Sequence, residues 1–159
     1  MISEWEFLAR VAVAAFLGGT LGYDRELRRA AAGVRTFALV GMGSAAFIAA
    51  AILIGQDINQ DTKALTDSQI RMASGLVAGV GFLGAGAILR TGERVRGLTT
   101  AAGIWVTAAI GLLIGTGNWI LGIGVTILAG IIIVALRPIH ESLRETDEGT
   151  SSHDGSGLG

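Results

Sequence analysis

Uncharged, predominantly apolar runs recur five times along this 159-residue chain, separated by short polar clusters. They cover residues 11–23, 36–55, 72–89, 98–112 continuing to 116, and 119–136; the first reaches back to residue 7 if Arg10 is tolerated within it. Crossing a hydrocarbon core of roughly 30 Å takes about 20 helical residues, within a range of about 17–25. The pattern therefore predicts spans at about 7–23, 36–55, 71–89, 98–116 and 119–136. Five consecutive helices without a polar face would leave a water-soluble domain with no surface. The predicted class is all-α, a polytopic transmembrane helix bundle.

Composition agrees. Only 16% of residues are charged and the mean hydropathy is +0.61, against roughly 25% charged in ordinary soluble domains. There is no cysteine, which excludes disulfide scaffolds and thiol chemistry. A net charge of −1 gives no reason to expect nucleic acid as a partner.

The basic residues orient the bundle. Arg25, Arg28, Arg29 and Arg35 follow the first span, Arg90, Arg94 and Arg96 the third, and Arg137 and Arg144 the fifth. The opposite side carries only Arg10, Lys63 and Arg71, so nine basic residues face three. Positive residues stay in the cytoplasm, which predicts an outer N-terminus, a cytoplasmic C-terminus and a multi-pass protein of the inner (plasma) membrane. The opening Glu4 and Glu6 do not suit a signal peptide, which begins with positive charge. Beyond Pro138 the sequence turns acidic and rich in glycine and serine, so residues 138–159 are expected to form a polar, largely disordered cytoplasmic tail.

One motif invites a different reading. Gly79, Gly81, Gly84 and Ala85 match the dinucleotide fingerprint G-x-G-x-x-G/A. That fingerprint needs a preceding strand and an acidic residue about 20 positions on, where this chain has Ile104 inside another apolar run. With 25 glycines in the chain, the match follows from abundance. Membrane helices associate by close backbone approach, which small residues at every fourth position permit. Gly18 and Gly22 in the first span and Gly103 and Gly111 in the fourth have that spacing. In the third span Gly75, Gly79 and Gly86 fall within about 40° of one another at the helical rotation of 100° per residue, while Gly81 and Gly84 lie opposite. That span is expected to be squeezed between two neighbours.

Charge gathers at the predicted inner edge. Asp24, Arg25, Glu26, Arg35 and Thr36 flank the first connection, and Arg90, Arg96, Thr99 and Thr100 flank the third. Charges against hydrocarbon are costly and usually find partners, so Asp24 or Glu26 is expected to pair with Arg35 or Arg90. Thr99 or Thr100 suits the N-cap of the fourth span, and arginines beside a helix N-terminus suit an anion. The remaining basic residues read as topology signals that contact lipid headgroups. Aspartates 57, 61 and 67 read as a solvated outer cluster without metal-ligand spacing.

No Asp, Glu, His or Lys sits in the middle of a span, whereas coupled transporters place such groups there. An ion path would depend on backbone carbonyls and on Thr107 or Thr126. His140 and His153 lie in the tail without ligand spacing. Neither a catalytic constellation nor a metal or cofactor site is expected, and the chain does not read as an enzyme.

Four blocks, "GGTLGYDRE" (18–26), "AGVRTFALVGMGSA" (32–45), "GVGFLGAGAIL" (79–89) and "VRGLTTAAGIWVTAAIGLLIGTG" (95–117), resemble the membrane domain of the MgtC/SapB family, in order and at its spacing. Asp24 stands where that family usually has glutamate, and Phe37 where it commonly has histidine. The soluble cytoplasmic domain of the namesake has no counterpart in these residues. The resemblance implies a membrane regulator linked to magnesium homeostasis. The expectation is a homo-oligomer, dimer or higher, in the lipid bilayer, acting on other membrane proteins; an oligomeric ion channel or transporter for magnesium or another ion is the alternative.

Overall fold

A computed structural model, which describes residues 2–58, 62–91 and 94–135, contains five helices and one short hairpin. In chain order these are α1 (Glu4–Leu27), α2 (Val34–Ile58), α3 (Thr62–Ala87), β1 (Leu89–Thr91), β2 (Arg94–Arg96), α4 (Leu98–Gly115) and α5 (Trp119–Ala135). The first four helices are long and apolar enough to cross a membrane. The 17 residues of α5 reach about 26 Å at 1.5 Å per residue, close to the hydrocarbon thickness. The all-α bundle of the sequence reading is the observed class, and residues 136–159, with the expected tail, lie outside the described residues.

Several boundaries move: α2 overruns the predicted 36–55 at both ends, and α3 begins at Thr62 rather than residue 71. Helix α1 begins at Glu4 because the Ser3 hydroxyl caps it, accepting from the Glu6 N–H at 3.2 Å, and it runs through Arg10 without a break. The third span ends at Ala87 rather than residue 89, and residues 89–91 and 94–96 pair as antiparallel strands, Leu89 with Arg96 and Arg90 with Val95. A three-residue strand is too short for periodicity to reveal it.

Helix α4 is the hub, packing against each of the other four. It carries no charge and is apolar around its circumference, which suits a helix that meets neighbours on several sides and lipid on the rest. Helices α1, α2 and α4 make the tight centre of the bundle. A Cβ placed on Gly22 would lie 2.8 Å from the Val34 Cα, and one on Gly111 would lie 2.5 Å from the Gly41 carbonyl oxygen. At Gly18 an added Cβ would run into the Phe37 carbonyl itself. Phe37 is fully buried, and a Cβ on Gly103 would meet its ring at 2.8 Å. The ring thus fills the junction of three helices, where the resembling family commonly has histidine.

The outer surface is as apolar as the inside. Phe16, Leu39, Phe47, Phe82, Ile120 and Ile132 are all more than half exposed, a surface suited to lipid tails. Trp5 and Tyr23 are exposed on α1, about 27 Å apart along the axis. That separation suits aromatic anchors at the two interfaces of a bilayer.

Helix α3 departs from expectation. It is not squeezed between two neighbours. A Cβ on Gly75, Gly79, Gly81 or Gly86 meets nothing within 4 Å, and one on Gly84 touches Ala101 only at ordinary contact distance. The helix leans on α4 and more sparsely on α2, mainly through buried Val80 and half-buried Leu76. Small-residue spacing identifies a face that another backbone can approach, but not whether the partner belongs to the same chain.

This contrast sets an expected outcome. Gly18→Ala overpacks the centre and should cost about 1–3 kcal/mol, whereas Gly79→Ala should cost nothing and gain part of the helix-propensity difference between glycine and alanine. Reversible unfolding in mixed micelles with sodium dodecyl sulfate would measure both; equal losses would contradict the packing described.

Candidate functional site

The charged cluster expected at the inner edge begins where α1 stops. The Ala30 N–H donates to the Arg25 carbonyl and the Arg29 N–H to the Glu26 carbonyl, both at 3.0 Å, the paired bonds of a Schellman cap. That cap needs a left-handed residue, usually glycine; here it is Arg29, at φ 50°. From this turn the Glu26 carboxylate reaches forward to accept the Val34 N–H at 3.0 Å. It thereby caps α2 and places negative charge at the positive end of the helix dipole. Gly33 makes this approach fit, since a Cβ there would collide with the Glu26 carboxylate.

Asp24 takes a different role. Its carboxylate accepts from the Arg25 guanidinium at 3.0 Å and from Arg28 Nε at 3.4 Å. Asp24 and Arg25 are mostly buried at the side chain and Arg28 is more exposed. The expected pairing of Asp24 or Glu26 with Arg35 is therefore replaced by local solutions. A neighbour at i+4 on the same helix and an N–H at the start of the next are reached at less entropic cost than a side chain on another element. Arg35 and Thr36 are exposed on the first turn of α2, and Thr36 borders a crevice between α2 and α3. Arg90 lies in β1 opposite Val95; its backbone alone is described, so the expected Arg90 pairing lies outside the described residues.

The N-cap of α4 is neither Thr99 nor Thr100. It is Gly97, left-handed at φ 89°, with no side-chain cap. The reason is steric: the chain turns out of the hairpin so closely under α3 that a Cβ on Gly97 would collide with the Ala87 carbonyl. Thr99 lies exposed in the first turn and Thr100 is buried, while Arg96 is exposed on β2. This end of the bundle thus presents Arg28, Arg29, Arg35 and Arg96 around the Asp24–Arg25 pair. This arrangement suits phosphate-bearing surfaces. Among the described residues no group of His, Cys, Asp and Glu could hold a metal ion.

At the opposite end the structure shows a residue that sequence reasoning treated only as a tolerated charge. Arg10 is 7% exposed. Its Nη1 donates to the Gly115 carbonyl at 2.7 Å and its Nη2 to the Glu6 carboxylate one turn away. Gly115 ends α4, whose last carbonyls carry the negative end of the helix dipole. Gly117, at φ 87°, completes a Schellman cap of the usual kind, and a Cβ there would press on Arg10 Nη2 at 2.9 Å. The signal available in sequence was the charge itself: an arginine inside a span asks for an acceptor, and the Gly115–Gly117 turn supplies one.

The two hydroxyls considered for an ion path are turned into their own helices. Thr107 Oγ1 donates to the Gly103 carbonyl and Thr126 Oγ1 to the Gly122 carbonyl, each at 2.8 Å.

Comparison with known proteins completes the description. The sequence model described as "MgtC family" matches residues 11–142. The chain is 47% identical over 119 residues to the Escherichia coli (strain K12) protein named "Putative magnesium transporter YhiD", covering 74% of this chain and 54% of that one. It is 42% identical over 117 residues to the Brucella abortus (strain 2308) protein MgtC, covering 71% and 45%. With the Synechococcus elongatus protein SrpB it shares 45% identity over 129 residues, covering 76% and 69%. The chain thus spans about half the length of the first two curated relatives. No solved structure matches it.

Two substitutions probe the helix ends. Arg29→Gly relieves the left-handed strain and should stabilise the protein by about 1 kcal/mol. Arg10→Met keeps the apolar stem but leaves the Gly115 carbonyl unpaired, and should destabilise by about 1.5–3 kcal/mol. Thermal unfolding in detergent, followed by circular dichroism, reads both signs.

Proposed function

The chain belongs to the MgtC family, and from that premise we propose that it is a multi-pass protein of the inner membrane that acts in magnesium homeostasis by binding another membrane protein. The observation that carries this reading is the unequal burial of the helices. Half of the spanning window of α4 is enclosed, against 11% of that of α3. Ser74, Ala78, Gly81 and Ala85 are all exposed and fall on one side of α3 at helical spacing. A partner helix can approach such a stripe to backbone distance.

The link to magnesium rests on the name that YhiD carries and on the family itself. Binding is favoured over conduction because the hydroxyl residues Thr107 and Thr126 are buried among packed helices rather than facing an open path, and no acidic residue of the described chain lies mid-span. The predicted orientation puts the exposed Arg28, Arg29, Arg35 and Arg96 in the cytoplasm, where they would hold the inner face against anionic headgroups.

Two measurements test the proposal. Gly81→Leu should leave the stability of the purified protein within about 0.5 kcal/mol of wild type, because nothing lies within 4 Å of that site, yet should abolish cross-linking of α3 to its membrane partner in cells. Liposomes containing the purified protein should pass no more magnesium than empty ones; a clear flux would establish conduction instead.

A further inference from the structure

A crevice of about 660 Å³ opens between α2 and α3, on the other side of α3 from the exposed small-residue stripe. Its size lies within the range of small-molecule sites, which are mostly apolar with a few placed polar groups. Such polar groups are present. Ser44 lines the crevice and is 2% exposed, yet its Oγ has no hydrogen-bond partner among the described residues. Buried hydroxyls are nearly always satisfied, so this one holds an unspent donor at the wall of the crevice, which a side-chain rotation would turn towards an occupant. Arg71, exposed, stands at one end of the lining.

Geometry narrows the occupant. Helices α2 and α3 are separated by three residues and pack antiparallel, so Phe47 and Arg71 share the outer end of the crevice while Thr36 and Leu83 share the inner. Each wall covers eleven or twelve helical steps, about 16–18 Å, or roughly one leaflet of a 30 Å hydrocarbon core. Gly75 and Gly79 leave the wall smooth, with nothing within 4 Å of where their side chains would be. Ser44 lies three residues from Phe47, in the half nearer Arg71. The crevice therefore offers, from outside inward, a cation, a hydroxyl donor and a bare apolar channel. A phospholipid has the complementary order of phosphate, ester carbonyl and acyl chain.

We propose that this crevice binds one glycerophospholipid of the outer leaflet. Arg71 takes the phosphate through its fork of N–H donors, its stem snorkelling outward. Ser44 donates to an ester carbonyl, and one acyl chain lies along Gly75 and Gly79. Asp67 is exposed one turn beyond Arg71 on the same helix face. Its charge disfavours a net-negative headgroup and suits an amine beyond the phosphate, so the ligand class is an amine-bearing, zwitterionic phospholipid. The site is independent of the partner-binding stripe.

Native mass spectrometry of the detergent-purified protein tests this, after incubation with phosphatidylethanolamine, phosphatidylglycerol or diacylglycerol of matched chains. One phosphatidylethanolamine per chain is expected, retained at least tenfold more strongly than diacylglycerol and more strongly than phosphatidylglycerol. Arg71→Gln should erase the preference over diacylglycerol. Gly79→Leu projects a side chain into the channel from a position where a Cβ meets nothing within 4 Å, so it should not lower the melting temperature and should retain none of the three. Retention of diacylglycerol or phosphatidylglycerol equal to that of phosphatidylethanolamine overturns the proposal, as does undiminished binding by Gly79→Leu. A second copy in the crevice, shown by stoichiometric disulfide formation between Gly79→Cys chains in membranes, overturns it too.

Discussion

Lipid tails are as apolar as leucine, so pressing two hydrocarbon-coated helices together gains little from leaving the solvent. What holds α1, α2 and α4 together is dispersion at backbone distance, and that requires side chains to be missing where the helices cross. Gly18 and Gly22 let α1 reach the backbone of α2 at Val34 and Phe37, and Gly111 does the same for α4 at Gly41. Phe37 then fills the space that the small residues cannot. The rest of the fold is arranged around this contact: α5 is held on α4, and α3 is attached loosely at the side.

The second constraint is the supply of acceptors and donors at helix ends, where hydrocarbon offers none. Two helices solve it with the same Schellman geometry. Gly117 adopts the left-handed conformation without strain, whereas Arg29 adopts it at a cost. The inner connection accepts that cost because the same turn brings Glu26 to the N-terminus of α2. Leftover groups at the ends go to side chains from elsewhere: Glu26 serves α2, and Arg10 serves α4.

Much of the architecture is legible in sequence because bilayer thickness turns hydropathy into length. The five helices follow from the apolar runs alone. Partners do not. The Asp24 carboxylate accepts from Arg25 and Arg28 and that of Glu26 from a backbone N–H, local choices that a list of charges leaves open. The hairpin was illegible because three-residue strands show no period, and its presence moved the α4 cap from a threonine to Gly97. The glycines of α3 signal a smooth surface, but their spacing does not say that the chain's own helices leave most of it uncovered.

The bond between Arg10 and Gly115 joins residues 105 positions apart, which has a consequence for how the polypeptide is made. When the first helix enters the membrane, the carbonyl that will receive its guanidinium has not yet been synthesised. Glu6, one turn away, is already present, and it neutralises the charge during that interval. Closure waits until the fourth helix has crossed, so the outermost turn of the first helix is among the last parts of the bundle to lock.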